Sequence, residues 1–215
     1  MSKSARDHAS HTTVTYSRDD VLERARRLAE RQGAEAVTLR RLAEELRTSR
    51  PQMARMFPDD HDLLFGLLDV VAAEMVPPSG VEDPRERLVA ALGHVRAVLQ
   101  RNRWVIPILA SGQLLGPGAL ALTEYVIQAL LDAGLDEEAA GVGQATLWRF
   151  TIGSLAVENP SVVDGVAAAR TVAAADPARY PALTRSLPAF SKVLPDDVFA
   201  RGVTAFVDGL LSTSG

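Results

Sequence analysis

The sequence predicts an all-α fold, with a small N-terminal helical domain followed by a larger helical one. Apolar residues recur at spacings of three and four along most of the chain, which is the period of a helix with one buried face. No stretch alternates between apolar and polar residues as a half-buried strand does. With 215 residues, 47% of them hydrophobic, the chain can bury a sizeable core.

The first predicted helix follows a polar segment, residues 1–16, which we interpret as a flexible tail. Ser17 precedes Asp19, Asp20 and an apolar stripe, a pattern that marks a capped helix, and Gly33 ends it. The tail lacks the apolar region of a secretory signal, and no apolar run approaches the roughly 20 residues needed to span a bilayer. We therefore expect a soluble, cytoplasmic protein.

Two short helices joined by a tight turn are predicted next. Thr38 caps the first, and Ser49 with Gln52 has the spacing of a capping box at the start of the second. Pro51 falls in the first turn of that helix, where its missing N–H costs little. Three helices of this kind predict a helix-turn-helix domain over residues 17–62.

The larger domain is predicted over residues 63–215 and begins inside a helix that runs from His61 to Val76. Pro77 and Pro78 close that helix. The segment 159–194 is rich in proline and is predicted to form one short helix among turns. The other helices predicted by apolar spacing cover residues 84–102, 104–111, 117–133, 136–158 and 195–211.

Charge divides the chain near the same place. Residues 1–58 contain 12 Lys and Arg against 8 Asp and Glu, whereas the remaining residues contain 11 against 19. The overall net charge of −4 therefore conceals a basic front quarter. A small nucleic-acid-binding domain attached to a larger acidic domain produces this asymmetry. The alternative is a solvated helix surface on which basic residues exceed acidic ones by chance.

An ordered series of residues in the segment 17–64 carries the strongest signal in the chain. The series is Leu28, Ala29, Glu30, Arg31, Gln32, Gly33, Val37, Thr38, Arg40, Leu42, Ala43, Glu44, Ser49, Arg55, Phe57, Pro58, Leu63 and Leu64. In register and without a gap, it resembles the TetR family of transcriptional regulators. The remaining residues resemble, less closely, the regulatory domain of the tetracycline-repressor branch, at Glu74, Met75, Trp104, Leu115, Gly116, Pro117, Ala133, Gly134, Leu135 and residues 206–210. The resemblance implies a ligand-responsive regulator, a repressor, that binds a palindromic operator in double-stranded DNA as a homodimer and is released by a small molecule.

Several positions depart from the usual pattern of that family. Arg47 and Thr48 stand where Gly-Val is usual, Ala54 and Met56 where Tyr is frequent, and Asp60 where Lys is common. The family's Tyr and Lys usually hold phosphate, so the resemblance implies fewer contacts to the DNA backbone here. A non-glycine residue such as Arg47 in a left-handed turn costs about 1–2 kcal/mol, which the packing of neighbouring apolar residues can offset.

The resemblance places the helix that begins near Arg50 in the major groove of DNA, where its N-terminal residues face base edges. Arg50 presents a donor fork that matches guanine N7 and O6, and Gln52 can both donate to and accept from adenine. The alternative for each residue is an idle, solvated position on a helix surface. The predicted DNA-binding residues are Thr38, Arg40, Ser49, Arg50, Pro51, Gln52 and Arg55.

The resemblance also implies a ligand pocket in the larger domain. Tetracycline-binding relatives hold a magnesium chelate, but Leu109, Arg149 and Val157 stand at the matching positions, and no cluster of zinc ligands accompanies His61 or His94. We therefore predict no metal or other cofactor, and a hydrophobic or aromatic effector. Plain core packing is an equally good interpretation of each lining residue. The predicted lining residues are Ala91, His94, Val95, Leu109, Gln113, Leu122, Val126, Trp148, Arg149 and Ile152.

Two late helices carry stripes of mainly small residues at spacings of four and three. Such stripes let helices approach closely, and glycine repeated inside a helix, at about 1 kcal/mol each relative to alanine, indicates a packing reason. The family forms a four-helix dimer interface with the corresponding helices, whereas close packing within one chain is the alternative. The predicted interface residues are Ala139, Gly143, Thr146, Phe150, Gly153, Val157, Val198, Gly202, Ala205 and Gly209.

An enzyme is the competing class and has little support. The sequence has no cysteine, no Gly-x-Ser-x-Gly elbow and no P-loop. Gly141 and Gly143 lie inside a predicted helix, without the preceding strand of a nucleotide-binding fingerprint. The stronger alternative is a dimeric small-molecule-binding protein whose DNA-binding domain has lost its function.

Overall fold

The computed structural model describes residues 16–112, 116–158, 170–190, 192 and 194–212. In these ranges the regular elements are helices, so the predicted all-α fold is confirmed. Residues 1–15 of the predicted tail and Gln113 of the predicted lining lie outside the described residues. The chain divides into two compact units, an N-terminal unit (Met1–Leu67) and a C-terminal unit (Leu68–Gly215).

The N-terminal unit begins with helices whose N-caps are those that the sequence predicts. Its described elements are α1 (Arg18–Gln32), a 3-10 turn (Ala34–Ala36), α2 (Leu39–Glu45), α3 (Arg50–Met56) and the start of α4 (Asp60–Ala72). Ser17 Oγ accepts a hydrogen bond from the Asp20 N–H at 3.1 Å, and the Asp20 carboxylate accepts one from the Ser17 N–H at 2.8 Å. Hydrogen bonds from the Ser17 hydroxyl and backbone N–H hold the pKa of Asp20 below its usual value. Thr38 Oγ1 caps α2 by accepting from the Arg41 N–H at 3.2 Å.

The core of the N-terminal unit contains residues from each of these helices. Leu28 of α1, Leu42 of α2 and Met53 of α3 are fully buried, and so are Phe57, directly after α3, and Leu63 of α4. Burial stabilises each such side chain by about 1.5–3 kcal/mol. The short helices α2 and α3, which are marginal by themselves, therefore owe their stability to this packing.

Helix α4 is shorter than predicted. It begins at Asp60 and ends at Ala72, four residues before the predicted end at Val76. The Glu74 N–H donates to Val71 O at 3.1 Å and the Met75 N–H to Ala72 O at 3.0 Å, so the last turn tightens from α to 3-10 geometry. The residue before a proline is disfavoured in the α conformation, and Val76 precedes Pro77, so the helix unwinds before it reaches the prolines.

The C-terminal unit is built from longer helices around α5. Its described helices are α5 (Pro84–Arg101), α6 (Ile106–Ala110), α7 (Leu120–Asp132), α8 (Glu137–Val157), α9 (Pro181–Phe190) and α10 (Pro195–Ser212). The predicted helices at 104–111 and 117–133 instead open with 3-10 turns, Arg103–Val105 and Pro117–Ala119. Helix α5 contacts α7, α8 and α10. None of the helices in the described ranges is long and apolar enough to cross a membrane.

A buried arginine joins three helices of the C-terminal unit. Arg96 of α5, whose side chain is 6% exposed, donates to Glu158 at 3.0 and 2.9 Å and to Asp196 at 2.7 Å. Its guanidinium carbon lies 4.6 Å from the centre of the Phe199 ring of α10. Burial by itself lowers the pKa of Arg96, but the hydrogen bonds to Glu158 and Asp196 outweigh that effect and the net shift is upward. The end of α8 and the start of α10 are thereby fixed to α5.

Candidate functional site

The turn between α2 and α3 adopts the left-handed conformation expected of it. Arg47 has a φ of 50°, in the region that glycine usually occupies. The Arg47 N–H donates to Glu44 O at 3.2 Å, and the Thr48 N–H donates to Ala43 O at 3.0 Å. These bonds satisfy the turn, so the departure from glycine leaves the helix-turn-helix intact at a local cost of about 1–2 kcal/mol.

The start of α3 differs in one respect from the predicted capping box. Ser49 Oγ accepts from the Gln52 N–H at 3.3 Å, as a capping residue does. The Gln52 side chain, however, does not return to the Ser49 N–H; its Oε1 accepts from the Thr48 hydroxyl at 2.8 Å. The predicted second bond of the capping box, from the Ser49 N–H to the Gln52 side chain, is therefore wrong. The Thr48 hydroxyl binds the Gln52 amide oxygen instead.

Three arginines on α2 and α3 are exposed and unpaired. In the described part of the chain, the guanidinium groups of Arg40, Arg50 and Arg55 have no hydrogen bond or ion pair to another side chain. Two arginines of α1 differ from them, since Arg24 pairs with Glu45 at 2.8 Å and Arg27 with Glu23 at 2.9 Å. Helices α2 and α3 thus present three guanidinium groups that are not paired with a carboxylate in the described residues.

The remaining predicted DNA-binding residues include two that shape the local backbone. Thr38 and Ser49 serve as N-caps, so their hydroxyls have local partners, and Pro51 is exposed in the first turn of α3. Asp60 also has a structural part that its position in the sequence does not indicate. Its Oδ1 accepts from the Leu39 N–H at 2.7 Å, which fixes the start of α2 and places a negative charge next to Thr38 and Arg40.

A small cluster of metal-ligating residues lies at the start of α4. Asp59, His61 and Asp62 bring ligand atoms within 4.8 Å of one another, which corrects the expectation that His61 has no such neighbours. Asp59 is already engaged, because its Oδ1 accepts from the Asp62 N–H at 2.8 Å. Carboxylates interact favourably with a helix N-terminus without any ion, so we assign no metal to this cluster.

The predicted ligand-lining residues fall into an interior group and an exterior one. Ala91, Val95, Leu122, Val126 and Ile152 are buried, while Leu109 and Trp148 are half-buried. His94 is half-buried, with Nε2 3.1 Å from the Glu74 carbonyl oxygen. Arg149 is exposed on α8, so the structure does not bring it together with the buried lining residues, and its part in ligand binding stays a prediction.

Two interior polar groups were missed as candidates by sequence reasoning. In the described part of the chain, the Trp104 Nε1–H is buried without a hydrogen-bond partner; the Tyr125 hydroxyl is also buried, and the Arg87 guanidinium interacts with that side chain, 4.9 Å from the ring centre. A buried polar group without a partner costs about 1–3 kcal/mol. Trp104 matches the family pattern in the sequence, but no spacing rule could indicate that its indole N–H would be left free.

The small-residue stripes of α8 and α10 divide between interior and surface. A Cβ added to Gly143 would lie 3.3 Å from Leu130, and one added to Gly202 would overlap the Phe150 ring. Phe150 in turn packs on Phe199, with ring centres 5.8 Å apart. Gly143, Phe150 and Gly202 therefore pack closely within the chain, and their part in a dimer interface stays a prediction.

The other members of the stripes remain accessible. Thr146 is half-buried and donates to Val142 O at 2.8 Å, and Ala139 is also half-buried. The exposed members, together with two exposed apolar residues of the same helices, form a surface that we name the α8–α10 face. It consists of Val142, Gly153, Val157, Val198, Ala205, Phe206 and Gly209.

Comparison with known proteins gives matches for both units. The family described as bacterial regulatory proteins, tetR family, matches residues 21–66, and the one described as tetracyclin repressor-like, C-terminal domain, matches residues 76–214. An HTH-type transcriptional regulator from Saccharopolyspora erythraea is 28% identical over 211 residues, covering 96% of this chain and 89% of that protein. Crystal structures of ActR from Streptomyces coelicolor, apo and in complex with actinorhodin, have TM-scores of 0.84 and 0.82 at 22% identity. Both cover 94% of this chain, and 98% and 100% of ActR respectively.

Proposed function

The chain belongs to the TetR family of transcriptional regulators, and from this premise we propose that it is a homodimeric repressor released from a palindromic operator by a small hydrophobic molecule. The exposed, unpaired guanidinium groups of Arg40, Arg50 and Arg55 are the observation that carries the DNA-binding part. Arginines without partners on a helix-turn-helix are suited to contact phosphates and guanine edges. Helix α3 then enters the major groove of each half-site with Arg50 and Gln52 near its leading end.

The expected effect of losing a base contact tests this assignment. Arg50→Ala should weaken operator binding by about 1–3 kcal/mol and relax the preference at one base pair per half-site, because the donor fork to guanine is lost. Fluorescence anisotropy with an operator selected from upstream DNA measures both. Arg27→Ala is the control, since that guanidinium pairs with Glu23 on α1, and it should leave the base preference unchanged. An Arg50→Ala protein with wild-type affinity and preference contradicts the docking of α3.

The second candidate function is a ligand-binding protein whose DNA-binding domain no longer functions. Asp60 is the observation that favours it, because its carboxylate stands beside Thr38 and Arg40, where the family commonly has Lys. Salt dependence separates the two candidates. A working domain binds its operator tightly at low salt and loses affinity as counterions compete, whereas a domain without function binds no DNA even at low salt.

The effector proposal rests on the interior of the C-terminal unit. The predicted lining residues that are buried there are apolar, and Trp104 adds an indole N–H that has no partner in the described residues. An indole N–H can only donate, so a hydrophobic effector that carries a hydrogen-bond acceptor satisfies it. ActR, which shares the fold, was solved in complex with actinorhodin, which supports a small-molecule effector here.

The effector is expected to act without a divalent metal. The positions that match the metal-chelating residues of tetracycline-binding relatives hold Leu109, Arg149 and Val157, none of which provides a carboxylate or imidazole ligand. Release from operator DNA by an effector found in a hydrophobic-compound screen should be as complete with EDTA as with added magnesium. Release that disappears with EDTA, or an active effector that is strongly polar, contradicts this proposal.

Release requires that the two sites be coupled. A ligand lowers DNA affinity only if it prefers a state in which the DNA-binding units are misplaced, and DNA must then lower ligand affinity by the same factor. Helix α4 is the proposed coupling element, because it continues through the boundary between Leu67 and Leu68.

A further inference from the structure

The hydrogen bond between Thr48 and Gln52 joins two positions whose backbones are both fixed. The Thr48 N–H donates to Ala43 O at 3.0 Å, which ties this residue to α2. The Gln52 N–H donates to Ser49 Oγ at 3.3 Å and to Ser49 O at 3.0 Å, which ties it to the start of α3. The side-chain bond between them therefore joins the end of the turn to the first turn of α3.

The bond also defines which end of the Gln52 amide is engaged. The Thr48 hydroxyl donates to Gln52 Oε1 at 2.8 Å, and both residues are half-buried. A free glutamine rotates about three side-chain bonds, and a bidentate contact to adenine requires its oxygen to accept from N6 while its nitrogen donates to N7. With the oxygen turned to Thr48, the amide NH₂ is the end left for a base.

We propose that Thr48 is a positioning residue for base reading, which holds Gln52 so that its amide NH₂ donates to acceptors on a base edge. Guanine presents two acceptors in the major groove, N7 and O6, whereas adenine combines an acceptor with a donor. The Gln52 position therefore selects guanine over adenine. This inference rests on the proposed DNA-binding function, and it assigns a part to a residue that differs from the usual family pattern, in which Val is common.

The test compares variants of the full chain on an operator selected by the wild type from a randomised duplex library. Gln52→Ala identifies the base pair read, because preference is lost there. Thr48→Val keeps the shape of the side chain but removes the hydroxyl; it should weaken binding about three- to tenfold and reduce the preference for guanine over adenine at that pair. Thr48→Ser retains a hydroxyl and should therefore retain both the affinity and the preference for guanine. Circular dichroism checks folding, and Thr48→Ala serves as the second hydroxyl-free variant if Thr48→Val misfolds.

A double-mutant cycle shows whether Thr48 acts through Gln52. In the Gln52→Ala background, Thr48→Val should change affinity by about twofold or less, because the group it positions is gone. An equal loss in both backgrounds, or an unchanged base preference in Thr48→Val, overturns the inference alone. A wild-type chain that selects no sequence overturns the proposed function, and this inference with it.

Discussion

Arg96→Met is expected to lower the free energy of unfolding by about 3 kcal/mol, the largest stability effect that we predict for a single side chain. Removal of the guanidinium leaves Glu158, whose side chain is 17% exposed, without its partner, and breaking a buried ion pair from one side costs about 3–5 kcal/mol. It also removes the stacking of the guanidinium on Phe199. Urea denaturation followed by circular dichroism measures the change, with the slope of the transition checked for two-state behaviour.

The matched control is Arg85→Met. Arg85 also lies on α5 and also pairs with an aspartate of α10, Asp208, but both side chains are exposed, at 44% and 51%. An exposed pair contributes little to stability because water screens it, so this variant should be close to the wild type. If the two variants lose the same stability, the burial of Arg96 is not what makes its ion pairs important.

Gly153→Glu is expected to convert the protein to a monomer and to reduce operator affinity about 100-fold or more. Gly153 is exposed on the α8–α10 face, and a Cβ there meets no atom within 4 Å, so the substitution leaves the isolated chain undisturbed. In the proposed dimer, however, the carboxylate is buried against the partner without a counter-charge. A monomer binds only one half-site. It therefore loses the gain in affinity from two linked binding events, which is roughly 10²–10⁴-fold.

Gly93→Glu provides the matched control for the dimer. Gly93 is also an exposed helical glycine with open space at its Cβ, but it lies on α5, outside the α8–α10 face. Light scattering should give a dimer for the wild type and Gly93→Glu, and a monomer for Gly153→Glu. Thermal unfolding of the two variants checks that neither is misfolded. A Gly153→Glu protein that remains dimeric with full operator affinity places the interface elsewhere on the chain.

The starts of the first three helices were determined by the sequence alone. Ser17, Thr38 and Ser49 each cap the helix that follows, as their spacing predicts, because a capping bond closes within three residues and depends little on the rest of the fold. The buried faces of α1 and α2 were also predictable from the sequence, because apolar residues spaced at the helical period lie on one side of the helix. The left-handed Arg47 belongs to the same class of local features.

The tertiary structure decided which members of those patterns are available for function. Gly153 and Gly202 look alike in the sequence, yet Gly202 is filled by the Phe150 ring while Gly153 faces open space. The Asp60 carboxylate likewise accepts from the Leu39 N–H, 21 residues earlier in the chain, and no local spacing indicates that contact. In both cases the outcome depends on where the fold places a side chain that is distant in the sequence. Residue spacing specifies local bonds and the buried face of a helix. Only the packing of the folded chain determines which distant side chain contacts a given residue.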